Sequence, residues 1–140
     1  MGRILAIDYG TKRTGLAVSD PLRLIAGALA TVETKQLERY LADYFAKNDV
    51  DVIVLGKPSQ MSGKPSETMR FIEPLAGRLR HAYPEKQVVL YDERFTSVMA
   101  HRTMLESGIG KKARQDKALV DRIAATIILQ SYMESLELQR

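Results

Sequence analysis

Residues 4–10 read Ile4, Leu5, Ala6, Ile7, Asp8, Tyr9, Gly10. Four consecutive apolar residues ended by an acid and a glycine suit a short strand buried on both faces and then a turn. The pattern recurs at Val52, Ile53, Val54 and Leu55, stopped by Gly56 and Pro58. It recurs again at Val88, Val89, Leu90 and Tyr91, ended by Asp92, Glu93 and Arg94. Between the first two runs, Leu37, Tyr40, Leu41, Tyr44 and Phe45 fall at i, i+3, i+4, i+7 and i+8, the spacing of one helical face. Between the second pair, Met69, Ile72, Ala76, Leu79 and Tyr83 mark another helix, which Pro74 should kink or divide. Strands joined through helices run parallel, by right-handed crossovers, so the strands at 4–7, 52–55 and 88–91 should be parallel neighbours in one covered sheet.

Outward from this frame, Thr11, Lys12, Arg13 and Thr14 lead into a strand of Gly15, Leu16, Ala17, Val18 and Ser19. It lies close enough to return as a hairpin, closed by Asp20 and Pro21. A third strand through 24–32 is suggested, although Gly27 and the alanines weaken its pattern. Helices at about 97–107 and 117–138 complete the chain. No internal repeat, linker or low-complexity tract interrupts it, and residues 1–140 are expected to form one α/β domain on a mixed sheet.

Composition narrows the classes. With 140 residues, 45% hydrophobic and 27% charged, the chain suits one globular domain and is too short for two complete enzyme domains. The absence of cysteine excludes a disulfide framework, a thiol nucleophile and a cysteine zinc site, and makes the reducing cytoplasm the natural setting. No apolar run is long enough for a signal peptide or a membrane span, so no membrane partner is expected. Lys plus Arg, 21, minus Asp plus Glu, 17, gives +4, compatible with a polyanionic partner. Residues 111–117 hold Lys111, Lys112, Arg114 and Lys117 against Asp116. Taken alone, such a run reads as a solvated loop; beside a site it becomes a phosphate contact.

Three carboxylates stand where carboxylates are unexpected. Parallel strands bring their carboxyl ends to one edge, where open α/β sheets bind ligands. Asp8 ends one such run and shares a face with Ile4 and Ala6, Glu93 follows another, and the turn at Gly56, Lys57 and Pro58 lies between them. Asp121 falls in a helical column with Ala125, Ile128 and Tyr132, which points it toward the sheet. Each has an ordinary explanation: Asp8 could cap a turn, Glu93 could pair with Arg94, and Asp121 with Lys117 one turn earlier. Converging, they would repel one another and call for a cation, and an all-oxygen donor set favours Mg²⁺ or Mn²⁺ over Zn²⁺. His81 and His101 lack partners at metal-binding spacing, and Ser19, Ser59 and Ser97 lack any activating motif.

At these residues the chain resembles the YqgF family of ribonuclease-H-like proteins, relatives of the RuvC-type junction resolvases, also described as pre-16S ribosomal RNA nucleases. The resemblance runs end to end. It rests on Asp8, Tyr9 and Gly10 with Lys12, Arg13 and Gly15; on Val54, Leu55 and Gly56 with Pro58; on Asp92, Glu93 and Arg94 with Thr96 and Ser97; and on Lys117 with Val120, Asp121, Ala124 and Ala125. Lys57, where the family often has an apolar residue, and Pro74 depart from it. The resemblance implies a five-stranded mixed sheet, an antiparallel hairpin plus parallel strands, flanked by helices. It also implies catalytic, metal-binding carboxylates at Asp8, Glu93 and Asp121 and two-metal hydrolysis, Asp8 being shared between the ions. Lys12, Arg13, Lys57, Arg94, Lys111, Lys112, Arg114 and Lys117 would meet the nucleic-acid backbone, with Arg94 alternatively orienting Glu93.

The function so implied is trimming of the 5′ end of precursor 16S ribosomal RNA by a monomer or weak homodimer. Its partners would be structured RNA and ribosomal precursor particles. Resolution of four-way DNA junctions is the competing activity, which needs a two-fold dimer to cut two strands symmetrically. A nucleotide-binding reading also meets Asp8, Gly10, Thr11 and Gly15, because the actin and Hsp70 superfamily opens with a similar phosphate-binding hairpin. Those proteins close two domains around ATP, and residues 10–15 followed by Leu16 form no Walker A loop. A third class is a non-catalytic module that binds nucleic acid or ribosome-assembly partners.

Overall fold

The computed structural model describes residues 2–57, 69–92 and 117–138. Its elements follow the order β1 (Arg3–Asp8), β2 (Arg13–Ser19), β3 (Ala26–Glu33), a 3₁₀ turn (Thr34–Gln36), α1 (Leu37–Lys47), β4 (Val50–Lys57), α2 (Met69–Ala82), β5 (Gln87–Asp92) and α3 (Lys117–Leu138). The five strands form one sheet ordered β3-β2-β1-β4-β5. β1 pairs antiparallel with β2, and β2 antiparallel with β3; β1, β4 and β5 run parallel. The mixed sheet and its three parallel neighbours are those the sequence predicts.

Both faces of the sheet are covered, which explains why β1 and β4 read as continuous apolar runs. On one face Leu5, Ile7, Leu16, Ile53 and Leu55 pack with Leu37 and Leu41 of α1 and with Ile72, Leu75 and Leu79 of α2. On the other, Ile4, Ala6, Ala17, Val52 and Val54 pack with Ala125, Ile128, Leu129 and Tyr132 of α3. The strand alternation thereby assigns every second residue of β1 and β2 to the α3 face.

Two of the weaker expectations take definite form. Pro74 lies inside α2 and does not divide it. The missing N–H costs one bond early in the helix, about 3 kcal/mol for an interior proline. Burial of Ile72, Leu75 and Leu79, all at most 2% exposed, outweighs it at ~1.5–3 kcal/mol each. The third strand, weak in the sequence at 24–32, is an eight-residue strand starting at Ala26, with seven positions of β3 in register with β2. Cross-strand pairing, to which intrinsic propensity is blind, holds it. The helix expected at 97–107 lies outside the described residues.

Candidate active site

Asp8 is the last residue of β1, half-buried, and its Cα partner across the hairpin is Gly15. Alternation from Ile4 and Ala6 puts it on the α3 face. Gly15 lies on the same face two residues from Ala17. A Cβ at Gly15 would run into the carbonyl group of Asp121, so β2 and the start of α3 meet backbone to backbone at this point. Asp8 and Asp121 therefore flank Gly15, one beside it in the sheet and one above it on the helix.

Asp121 is about one quarter exposed and accepts a hydrogen bond from Arg13 Nε at 3.0 Å on Oδ2. This partner lies 108 residues away in sequence, whereas helical spacing offers Lys117, whose side chain lies outside the described residues. Arg13 sits on the α3 face of β2, two residues before Gly15, so the hairpin delivers both the close approach and the cation.

Hydroxyls brace the surrounding backbone. Thr31 Oγ1 of β3 donates to the Ala118 carbonyl at 2.6 Å, fastening the first turn of α3 to the sheet. Thr34 Oγ1 donates to the Gly10 carbonyl at 2.5 Å and shares a 2.9 Å hydrogen bond with the buried Thr14 Oγ1. The Thr34 N–H donates to the Lys12 carbonyl at 3.0 Å. Gly10 is equally confined, since a Cβ there would strike the Arg13 carbonyl. The turn bearing Lys12 is thus clamped at both ends. None of these threonines stands out in the sequence, because Thr31 and Thr34 lie in and just after β3, whose position the sequence leaves vague, and their partners are distant in the chain.

The carboxyl ends of β1, β4 and β5 lie side by side, with Lys57 paired to Asp92 in register. Lys57 is exposed and, with Ile53 and Leu55, belongs to the sheet face opposite Asp8. Asp92 likewise falls opposite Tyr91, which packs on the α3 side. Lys12 is exposed in the hairpin turn and lines a shallow groove with Thr11, Arg13, Glu33 and Lys35. Lys35 was not singled out in the sequence. Glu93, Arg94, Lys111, Lys112 and Arg114 lie outside the described residues, as does the side chain of Lys117. His81 is exposed on α2, and Ser19 is structural, its hydroxyl accepting from the Ile4 N–H at 2.9 Å and donating to the Asp20 carbonyl at 3.0 Å.

Two of the three expected metal-ligating carboxylates are described, and among the described residues no group of three acids, histidines or cysteines gathers as a ligand set. The donors that are described suit a hard cation: Asp8 and Asp121 offer oxygen only, and the guanidinium on Asp121 already puts positive charge where an ion would sit. No helix of the described residues is long and apolar enough to cross a membrane.

Comparison with known proteins adds the following. A family model described as "RuvX: Holliday junction resolvase" matches residues 2–135. A protein of Bacteroides thetaiotaomicron named "Putative pre-16S rRNA nuclease" is 58% identical over 135 residues, 96% of this chain and 98% of its own length. One of the same name from Parabacteroides distasonis is 52% identical over 139 residues, covering 99% of both chains. Among solved structures, T. thermophilus RuvC in complex with Holliday junction substrate superposes with a TM-score of 0.55 at 16% identity, over 96% of this chain and 98% of that one. That likeness concerns the fold, and it matches the expected ribonuclease-H-like architecture.

Proposed function

This chain belongs to the RuvX family, also called YqgF, and on that premise we propose that it is a metal-dependent nuclease that trims the 5′ end of precursor 16S ribosomal RNA in the cytoplasm. The observation that carries the reading is the placement of Asp8 and Asp121 on either side of Gly15, at the edge where the parallel strands end. The name of the relatives at 52–58% identity supports the substrate.

Asp8, Asp121 and Glu93 would hold Mg²⁺ or Mn²⁺. Such ions, when bound, activate water and stabilise the leaving 3′ oxygen. The remaining work falls to the chain itself. Asp8 is fixed at the end of a strand whose four central residues are buried, and Asp121 on a helix whose first turn is fastened through Thr31, so neither carboxylate depends on a loop for its position. Lys12, Arg13 and Lys35 offer cations to a phosphate backbone beside them, with Lys57, Arg94, Lys111, Lys112, Arg114 and Lys117 as further candidates. Contacts of this kind are indifferent to sequence and leave recognition to RNA shape.

The description of the family favours a second reading, resolution of four-way DNA junctions. The deciding experiment offers a labelled pre-16S leader and a labelled four-way junction to wild type and Asp8→Asn, with Mg²⁺ or Mn²⁺. Leader cleavage lost in the variant is the expected result. Junction cleavage alone would transfer the assignment and require a dimer. Cleavage of neither would return the chain to a binding module.

A further inference from the structure

Arg13 is committed in two directions. Its Nε donates to Asp121 Oδ2 at 3.0 Å, and the same residue lines the groove formed with Thr11, Lys12, Glu33 and Lys35. The ion pair is part-exposed, 39% at Arg13 and 23% at Asp121, which is the weak class of salt bridge and one that a divalent cation can displace. A guanidinium and a dication repel, so each weakens the other's hold on one carboxylate. Once displaced, Arg13 needs another anion. The acid lining the groove, Glu33, already faces Lys35 Nζ at 3.5 Å. A phosphodiester in the groove would offer a stronger acceptor, one that matches the planar fork of arginine.

Resting on the nuclease reading above, we propose that Arg13 is a built-in counter-ion that occupies Asp121 while no metal is bound and transfers to the phosphate backbone in the groove when metal binds, so that metal and nucleic acid bind cooperatively. Without metal, the groove has one of its three cations turned toward Asp121 and holds RNA poorly. Without RNA, metal must displace Arg13 with nothing to receive it. Binding of either partner removes part of the other's cost, and linkage makes the two gains equal. In this arrangement Arg13 is a positioning residue for Asp121 and a contact for the substrate.

The test measures Mn²⁺ affinity by calorimetry, and the affinity of a hydrolysis-resistant phosphorothioate RNA duplex with and without Mn²⁺, on the full chain. In wild type, Mn²⁺ should tighten RNA binding by roughly 5–10-fold, within the usual range of such couplings. Arg13→Gln should bind Mn²⁺ several-fold more tightly in the absence of RNA and reduce the coupling to below about twofold. Arg13→Lys, a point charge that still competes for Asp121, should retain most of it. Asp121→Asn should raise metal-free RNA affinity, and the gain should vanish in the Arg13→Gln, Asp121→Asn double variant, a cycle that separates release of Arg13 from mere loss of negative charge. Wild-type Mn²⁺ binding that Asp8→Asn abolishes but Arg13→Gln leaves unchanged in strength and coupling would overturn this proposal and spare the nuclease. No Mn²⁺ binding by wild type would overturn both. Should circular dichroism show Arg13→Gln unfolded, the same cycle run with Arg13→Met, which keeps the apolar stem and removes the charge, decides.

Discussion

Gly15 is the residue through which the site is most easily broken without touching a carboxylate. A Cβ there would meet the backbone of Asp121, and a helix backbone fastened by Thr31 cannot rotate aside as a side chain could. Gly15→Ala should therefore push the start of α3 off the sheet and cost about 1–3 kcal/mol, roughly 3–10 °C in Tm, with loss of cleavage. Gly77→Ala is its counterpart in α2, where a Cβ meets nothing within 4 Å; the better helix former should add about 0.5–1 kcal/mol. Thermal melts of both variants check the pair, and an unaltered Tm in Gly15→Ala would mean that α3 does not rest on β2 as described. Asp8 and Asp121 are legible in the sequence because each interrupts an apolar face. Arg13 as the partner of Asp121 is not, since only the folded hairpin brings the two together across 108 residues, while helical spacing makes Lys117 the obvious neighbour.

Among the elements, β1, β4 and β5 announce themselves through continuous apolar runs, because a strand covered on both faces needs no polar side. β3 does not: Gly27, Ala28 and Ala30 are poor strand formers, and only the register with β2 holds them extended. The connection into β3 depends on Asp20. Its Oδ1 accepts from the Leu24 N–H at 2.7 Å and the Ile25 N–H at 2.8 Å, while Arg23 takes a positive φ of 59°. The amide of Ile25 above all, with that of Leu24, holds the Asp20 carboxyl below its ordinary value near 3.8, against a smaller opposing effect of desolvation. A lowered folded pKa means stabilisation fully present above the unfolded value and lost as pH falls through the folded one. The Leu24 and Ile25 amide resonances should accordingly shift together, with one midpoint that lies below 3.8. A shared midpoint at or above 3.8, read by NMR titration, would show that these bonds are not what holds the turn.

At the scale of the whole molecule, a net charge of +4 says little, since 21 bases and 17 acids could be mixed over the surface. What matters is that the fold sets Lys12, Arg13 and Lys35 around one groove beside Asp121, against the single acid Glu33 among its lining residues. Sequence reading singles out the first two, which precede Gly15 in the hairpin, but not Lys35, which joins them in the groove because Arg13 and Glu33 pair in register. The nuclease reading makes this groove part of the path of the phosphate backbone, and each phosphate neutralised there releases counter-ions. Lost contacts must then appear in the salt dependence of binding as well as in its strength. Replacing Lys12 and Lys35 together by alanine should flatten the slope of log K against log salt by roughly 1.4–1.8, or 0.7–0.9 per contact, across duplexes of unrelated sequence. Tm should stay within a degree or so of wild type, because Lys35 is 77% exposed and its 3.5 Å pairing with Glu33 is of the surface kind that contributes little. An unchanged slope with weakened binding would mean that the two lysines act on the backbone only through the shape of the hairpin, and would move the path of the nucleic acid away from β3.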